Sequence, residues 1–220
     1  MDGLLENARR NGFAPRTIID IGAYIGEWSR MAGAIFPDAR IFMFDGNPAN
    51  QAALEATTRA LGERARMAIQ LLGSDVRDDV KFYQMGTGSS VLEELTEFRR
   101  NELSLSMRPL DDVLRPDGVS GPALLKVDVQ GFELDVLRGA EETLAKVEFV
   151  ILETSLLEFN KGAPLMSEVV AFMKARDFVS YDFCGQARRQ TDHALHQTDI
   201  AFVRADSALR SRKKFFLVER

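Results

Sequence analysis

The chain of 220 residues is poor in several features that would define it quickly. It has one cysteine, Cys184, so neither an internal disulfide nor a cysteine-built metal site can form, and a reducing compartment, the cytoplasm, is expected. Positive charge is short: 28 Lys and Arg against 33 Asp and Glu leave a formal net charge of -5. That is the wrong sign for a surface that neutralises phosphates, so no nucleic-acid partner is expected. The one basic run, "RSRKK" at 210–214, reads as a solvated tail. No apolar stretch is long enough for a membrane span, and "MDGLLENARRNGF" lacks the basic-then-apolar order of a secretion signal. Internal repeats and low-complexity segments are missing as well.

What is present is enough apolar residue, 45%, for one well-buried core, and residues 1–220 read as a single domain with a short N-terminal helix (1–13) and a basic tail (207–220). "TIIDI" (17–21) is a β-branched buried strand that runs through glycines into a helical pattern ended by Pro37. "RIFMFD" (40–45) repeats the unit, with Asn47-Pro48 as a helix start and Gly62 as its stop. "RMAIQLLGSD" supplies a third strand, after which "VKFYQM" and "SLSMRPL" form a small β insertion around "GTGSS" (86–90). Strand and helix then alternate again through "LLKVDVQGFELDVLRGA" (124–140), "KVEFVILETSL" (146–156) and a helix near 165–176, closing with strands near 178–183 and 197–204. This alternation predicts a parallel α/β sheet covered on both faces, with a ligand at the carboxyl ends of its strands.

In "DIGAYIG", Gly22 and Gly26 let the backbone pass close to a ligand, with Ala23 and Tyr24 between them. Tyr24 stands where a dinucleotide fingerprint needs glycine, which disfavours a diphosphate and leaves room for a nucleoside without phosphates. Asp45, ending the second strand, is placed for the hydroxyls of a ribose. Asp20 could meet an ammonium group or orient the glycine loop, Asn47 could cap a helix or touch the ligand, and Ser74 and Asp75 stand where an adenine would be expected. Trp28 reads as core.

Together "TIIDIGAYIGEWS", "FDGNPAN", "LLGSD", "RPLDDVL", "LLKVDVQGFELDVLRGA" and "VILETS" resemble the FkbM-type methyltransferases over about residues 16–204. The resemblance implies a class I methyltransferase: a Rossmann-like three-layer sandwich whose mostly parallel seven-stranded sheet has an antiparallel last strand, with the small β insertion before strand 4. It also implies S-adenosyl-L-methionine as cofactor and O-methylation of a hydroxyl on a sugar, glycan or secondary metabolite. In that family the loop commonly reads G-A-N-x-G and the acidic segment F-E-P-N-P; here Tyr24 changes the methionine end and Asp45 gives the ribose contact a shorter reach.

A hydroxyl acceptor benefits from a general base. Asp128, at the end of the fourth strand beside the expected methyl group, is the first candidate, and it also counts among the cofactor contacts. Glu153, flanked by apolar residues, is the second, and His193 is the third, ahead of His196. Glu133 reads mainly as an acid favoured at a helix start. The "GTGSS" turn could line the acceptor pocket. No compact ligand spacing calls for a metal, and none is expected. A homodimer is left open. N-methylation, an inactive cofactor-binding scaffold and a nicotinamide-dependent dehydrogenase are the rival readings.

Overall fold

The computed structural model describes residues 1–96, 98–115 and 117–211. Most of the basic run at 210–214 therefore lies outside the described residues. Strands β1 (Thr17–Ile21), β2 (Arg40–Asp45) and β3 (Ala65–Ile69) run parallel, and each follows a helix: α1 (Asp2–Arg10), α2 (Glu27–Ile35) and α3 (Gln51–Leu61). The chain then makes β4 (Leu71–Leu72), β5 (Arg77–Gln84) and β6 (Asn101–Arg108), a separate sheet ordered β4-β6-β5. It returns through α4 (Leu110–Leu114) to β7 (Ala123–Val127), α5 (Glu133–Arg138), α6 (Glu141–Leu144), β8 (Val147–Ser155), α7 (Met166–Lys174), β9 (Phe178–Arg188) and β10 (Leu195–Arg204).

The main sheet has seven strands in the order β3-β2-β1-β7-β8-β10-β9, and β10 is antiparallel to both of its neighbours. Strand order reverses beside β1, which pairs with β2 on one side and β7 on the other. This switch point is where open parallel sheets leave a crevice.

All five residues of β1 and of β7 are buried because helices cover both faces. One face packs Ile18, Met43, Leu124, Phe149 and Ile151 against Leu5, Ala32 and Leu54 from α1, α2 and α3. The other packs Ile19, Phe42, Leu125, Val150 and Phe202 against Leu110, Leu137, Leu144 and Met173 from α4 to α7. The result is three layers. Alternation of side chains along β1 and β7 puts Asp20 and Lys126 on the α1–α3 face, and the two residues are register partners. The small sheet has its own cluster of Leu71, Val80, Phe82 and Met107.

Two sequence expectations change. The third strand is not continuous: it ends at Ile69, and Gln70 turns the chain so that Leu71 and Leu72 pair with β6 instead. Gln70 holds this break through Nε2, which donates to the Leu71 and Ser106 carbonyls at 3.0 and 2.9 Å. "GTGSS" is not a tight hairpin turn either, since it opens with a 3-10 turn at Gly86–Gly88 and begins the long connection from β5 to β6. No helix among the described residues is long and apolar enough to cross a membrane.

Candidate active site

At the switch point lies a cavity of about 350 Å³ whose walls include Asp20, Gly22, Ala23, Tyr24, Asp45 and Asp128. It exists because β1 and β7 come very close where they end. A methyl group on Gly22 would lie 1.8 Å from the Asp128 carbonyl oxygen, and Gly22 has a φ of +75°, so only glycine fits there. The glycine loop spends its amides internally. Gly22 and Ala23 donate to the Phe44 carbonyl, Tyr24 to Asp45 Oδ2 at 2.7 Å, and Gly26 to the Ala23 carbonyl. None of these four is left to cradle a pyrophosphate, and the acid Glu27 lines the same cavity, which argues against a dinucleotide.

Asp45 is nearly buried and accepts, besides Tyr24, the Asn47 amide at 2.8 Å and Asn50 Nδ2 at 3.0 Å. Burial pushes its pKa up, against the pull of these bonds. Asp20 is fully buried; Ser29 Oγ donates to its Oδ2 at 2.6 Å, while Oδ1 has no partner. Trp28 Nε1, on the same cavity wall, is also buried without a partner. An unsatisfied acceptor and an unsatisfied donor in one buried place are costly unless something fills them. An amino-acid moiety, with its ammonium and carboxylate, has matching groups.

Lys126, 6% exposed, donates to Asp128 Oδ2 at 2.9 Å and stands 5.9 Å from the centre of the Trp28 ring. Burial works against its charge, but Asp128 and Asp20 outweigh it and the pKa is raised. Asp128 Oδ1 accepts from Gln130 Nε2 at 3.1 Å, and the same nitrogen donates to Glu153 Oε2 at 3.0 Å. Gln197 Nε2 also donates to Glu153 Oε2, at 3.1 Å. Burial, then Asp128, Glu133 and Asp199, hold the Glu153 pKa well above the usual carboxylate range. Glu153 lines a second cavity, which shares Gly86, Thr87 and Gln130 with the first.

The other sequence candidates lie elsewhere. Gly26 is outside the cavity lining and starts α2 with a left-handed φ of 79°. Asn47 also lies off the lining: its Oδ1 accepts the Ala49 amide at 3.0 Å and Gln84 Nε2 at 2.7 Å. Ser74 and Asp75 are outside it because the chain leaves the main sheet at Gln70; the Ser74 amide donates to Asp135 and Asp75 pairs with Arg77. Leu71 and Leu72 take the wall position instead. His193 is exposed in the turn between β9 and β10 and lines neither cavity. Sequence reasoning missed Lys126, Gln130 and Gln197. A lysine inside an apolar strand was the available signal for Lys126; the two glutamines carry none.

A class I methyltransferase sheet with a nucleoside-sized cavity at its switch point defines the class of protein. The chain matches the Methyltransferase FkbM domain over residues 20–180 and belongs to that family. Its methyl donor is S-adenosylmethionine. Among curated relatives, it is 26% identical to the 2-O-methyltransferase NoeI of Sinorhizobium fredii over 74% of this chain and 73% of that one. It is 28% identical to the hexuronic acid methyltransferase AglP of Haloferax volcanii over 86% and 75%. Among solved structures, the FkbM methyltransferase of Methylobacillus flagellatus superposes with a TM-score of 0.53 at 17% identity, covering 84% of this chain. The chain spans 43% of that larger protein. Magnesium protoporphyrin IX methyltransferase from Synechocystis gives 0.52 at 10% identity over 92% and 77%. Both share the fold.

Proposed function

We propose that the protein methylates a hydroxyl of a sugar or glycan, with Glu153 as the general base. The observation that carries this reading is the Gln130 bridge. One amide nitrogen ties Asp128, which lines the cofactor cavity, to Glu153, which lines the cavity next to it. The two curated relatives, one a 2-O-methyltransferase and one a hexuronic acid methyltransferase, support a sugar hydroxyl as acceptor.

S-adenosylmethionine supplies a methyl group already activated on a sulfonium. Asp45 would hold its ribose hydroxyls, Asp20 and Trp28 its amino-acid end, and Leu71, Leu72 and Phe82 would offer an apolar wall to its base. The remaining task is the acceptor proton. Both oxygens of Asp128 are committed, to Lys126 and to Gln130. Among the described residues none donates to Glu153 Oε1, and Glu153 has the raised pKa that a base needs near neutral pH. Glu153 Oε1 would accept the hydroxyl proton as the acceptor oxygen gains the methyl group and the pair from the broken carbon–sulfur bond stays on sulfur. We place the activity in the cytoplasm, where a free thiol such as Cys184 is stable.

Glu153→Gln is expected to lower kcat by about 10²-fold or more, as loss of a general base does, while calorimetry finds the affinity for S-adenosylhomocysteine within about twofold of wild type. The wild-type rate should climb with pH through the raised Glu153 pKa, and this limb should vanish in the variant. Undiminished turnover in Glu153→Gln would reject the base and favour an amine acceptor.

A further inference from the structure

The second cavity, about 730 Å³, is bounded by Met85, Gly88, Glu94 and Phe98 from the β5–β6 connection and by Glu153, Phe159 and Gln197 on the main-sheet side. Three properties describe its chemistry. It presents two aromatic rings: Phe98 is 69% exposed, and Phe159 leans on the His196 ring at 5.6 Å. Its leftover hydrogen-bonding atoms are mostly acceptors. Gln130 Oε1, Gln197 Oε1 and Glu153 Oε1 take no bond from the described residues, whereas Gln130 Nε2 spends both hydrogens on Asp128 and Glu153.

The third property is its charge. Among the described residues no Lys, Arg or His lines it, and its titratable groups are Glu94 and Glu153. The cations behind it are taken: Arg100 lies 3.9 Å from Glu94, and Lys126 is bound to Asp128. Asp199 faces Glu153 across the β8–β10 pairing and adds to the negative field.

Resting on the methyl-transfer reading above, we propose that this cavity takes an uncharged pyranose and rejects a hexuronate. An aromatic ring suits the C–H face of a neutral sugar, and acceptor atoms suit hydroxyl donors. A sugar carboxylate needs a cation or several donors; among the described lining residues it finds no cation and, as side-chain donors, only the Thr87 hydroxyl and the second Gln197 N–H, and it is set against like charge in a part-buried place. Glu153 shows the same field at work: burial comes first, and Asp128, Glu133 and Asp199 add to it in opposing its ionisation.

The test uses matched methyl glycosides that differ at C6: glucoside and glucuronide, galactoside and galacturonide, mannoside and mannuronide. Each is titrated into protein saturated with S-adenosylhomocysteine at neutral pH. At least one neutral sugar should bind about tenfold or more tightly than its uronide. Phe98→Ala should weaken that sugar by about tenfold with unchanged S-adenosylhomocysteine affinity, and Glu153→Gln should shrink the neutral-over-uronide preference to about threefold or less. A uronide that binds wild type as well as its neutral partner overturns the proposal and leaves sugar methylation standing. If no sugar binds while S-adenosylhomocysteine does, the sugar reading falls and this proposal with it.

Discussion

At the β7–α5 junction, Glu133 accepts the Val129 and Gly131 amides at 3.1 Å through one oxygen, while burial pushes its pKa up to about 7. An acid with a raised folded-state pKa holds its proton longer in the native state than in the unfolded one. Stability is therefore fullest below the unfolded value of 4.5 and falls as pH rises toward about 7. The loss assignable to this side chain is about 3 kcal/mol. Glu133→Gln keeps an acceptor for both amides and has no proton to lose, so thermal melts of the variant should lack this part of the decline; parallel pH profiles would refute it. Lys126 carries the opposite lesson, because its charge offsets the buried Asp20 and the partly exposed Asp128. Lys126→Met should cost about 3–5 kcal/mol in urea unfolding, and adding Asp128→Asn should recover part of it. Full additivity of the two substitutions would contradict a shared ion pair.

Elements were more legible than the contacts between them. The β-branched runs mark β1 and β2 and the Gly62 stop marks the end of α3, because these signals are local; Asn47-Pro48 marks a 3-10 turn at Pro48–Asn50 that leads into α3 at Gln51. The break at Gln70 was not legible: Ile69, Leu71 and Leu72 are one apolar run in sequence, and the pairing of β4 with β6 is decided by residues more than thirty positions away. That break moved the expected wall from Ser74 and Asp75 to Leu71 and Leu72. The placement of Asp20, Asp45 and Asp128 at strand ends follows from topology. Their partners do not, since Ser29, Asn50 and Gln130 are brought in by the turns. The tightest of these turn contacts yields a clear test. Gly22→Ala puts a methyl group into the Asp128 carbonyl, so β1 and β7 must separate at the cavity floor. Cofactor binding by calorimetry should disappear and the melting temperature should fall; a variant that binds S-adenosylhomocysteine normally would show that this approach is not required.

Across the whole molecule, the two sheets meet around the pair of cavities, and Gly86, Thr87 and Gln130 belong to both walls. Ser90 Oγ donates to the Gln130 carbonyl at 2.9 Å, fastening the β5–β6 connection to the β7–α5 loop. A wall common to two sites cannot settle for one occupant without altering the other's fit. Thermodynamic reciprocity then requires each ligand to change the other's affinity by one and the same factor, typically about 5- to 150-fold. Titrating the sugar with and without S-adenosylhomocysteine, and then the reverse, should return equal factors greater than one. With tightening of that size the doubly loaded complex outweighs either singly loaded form once both ligands are present, so methyl donor and acceptor are held together rather than one at a time.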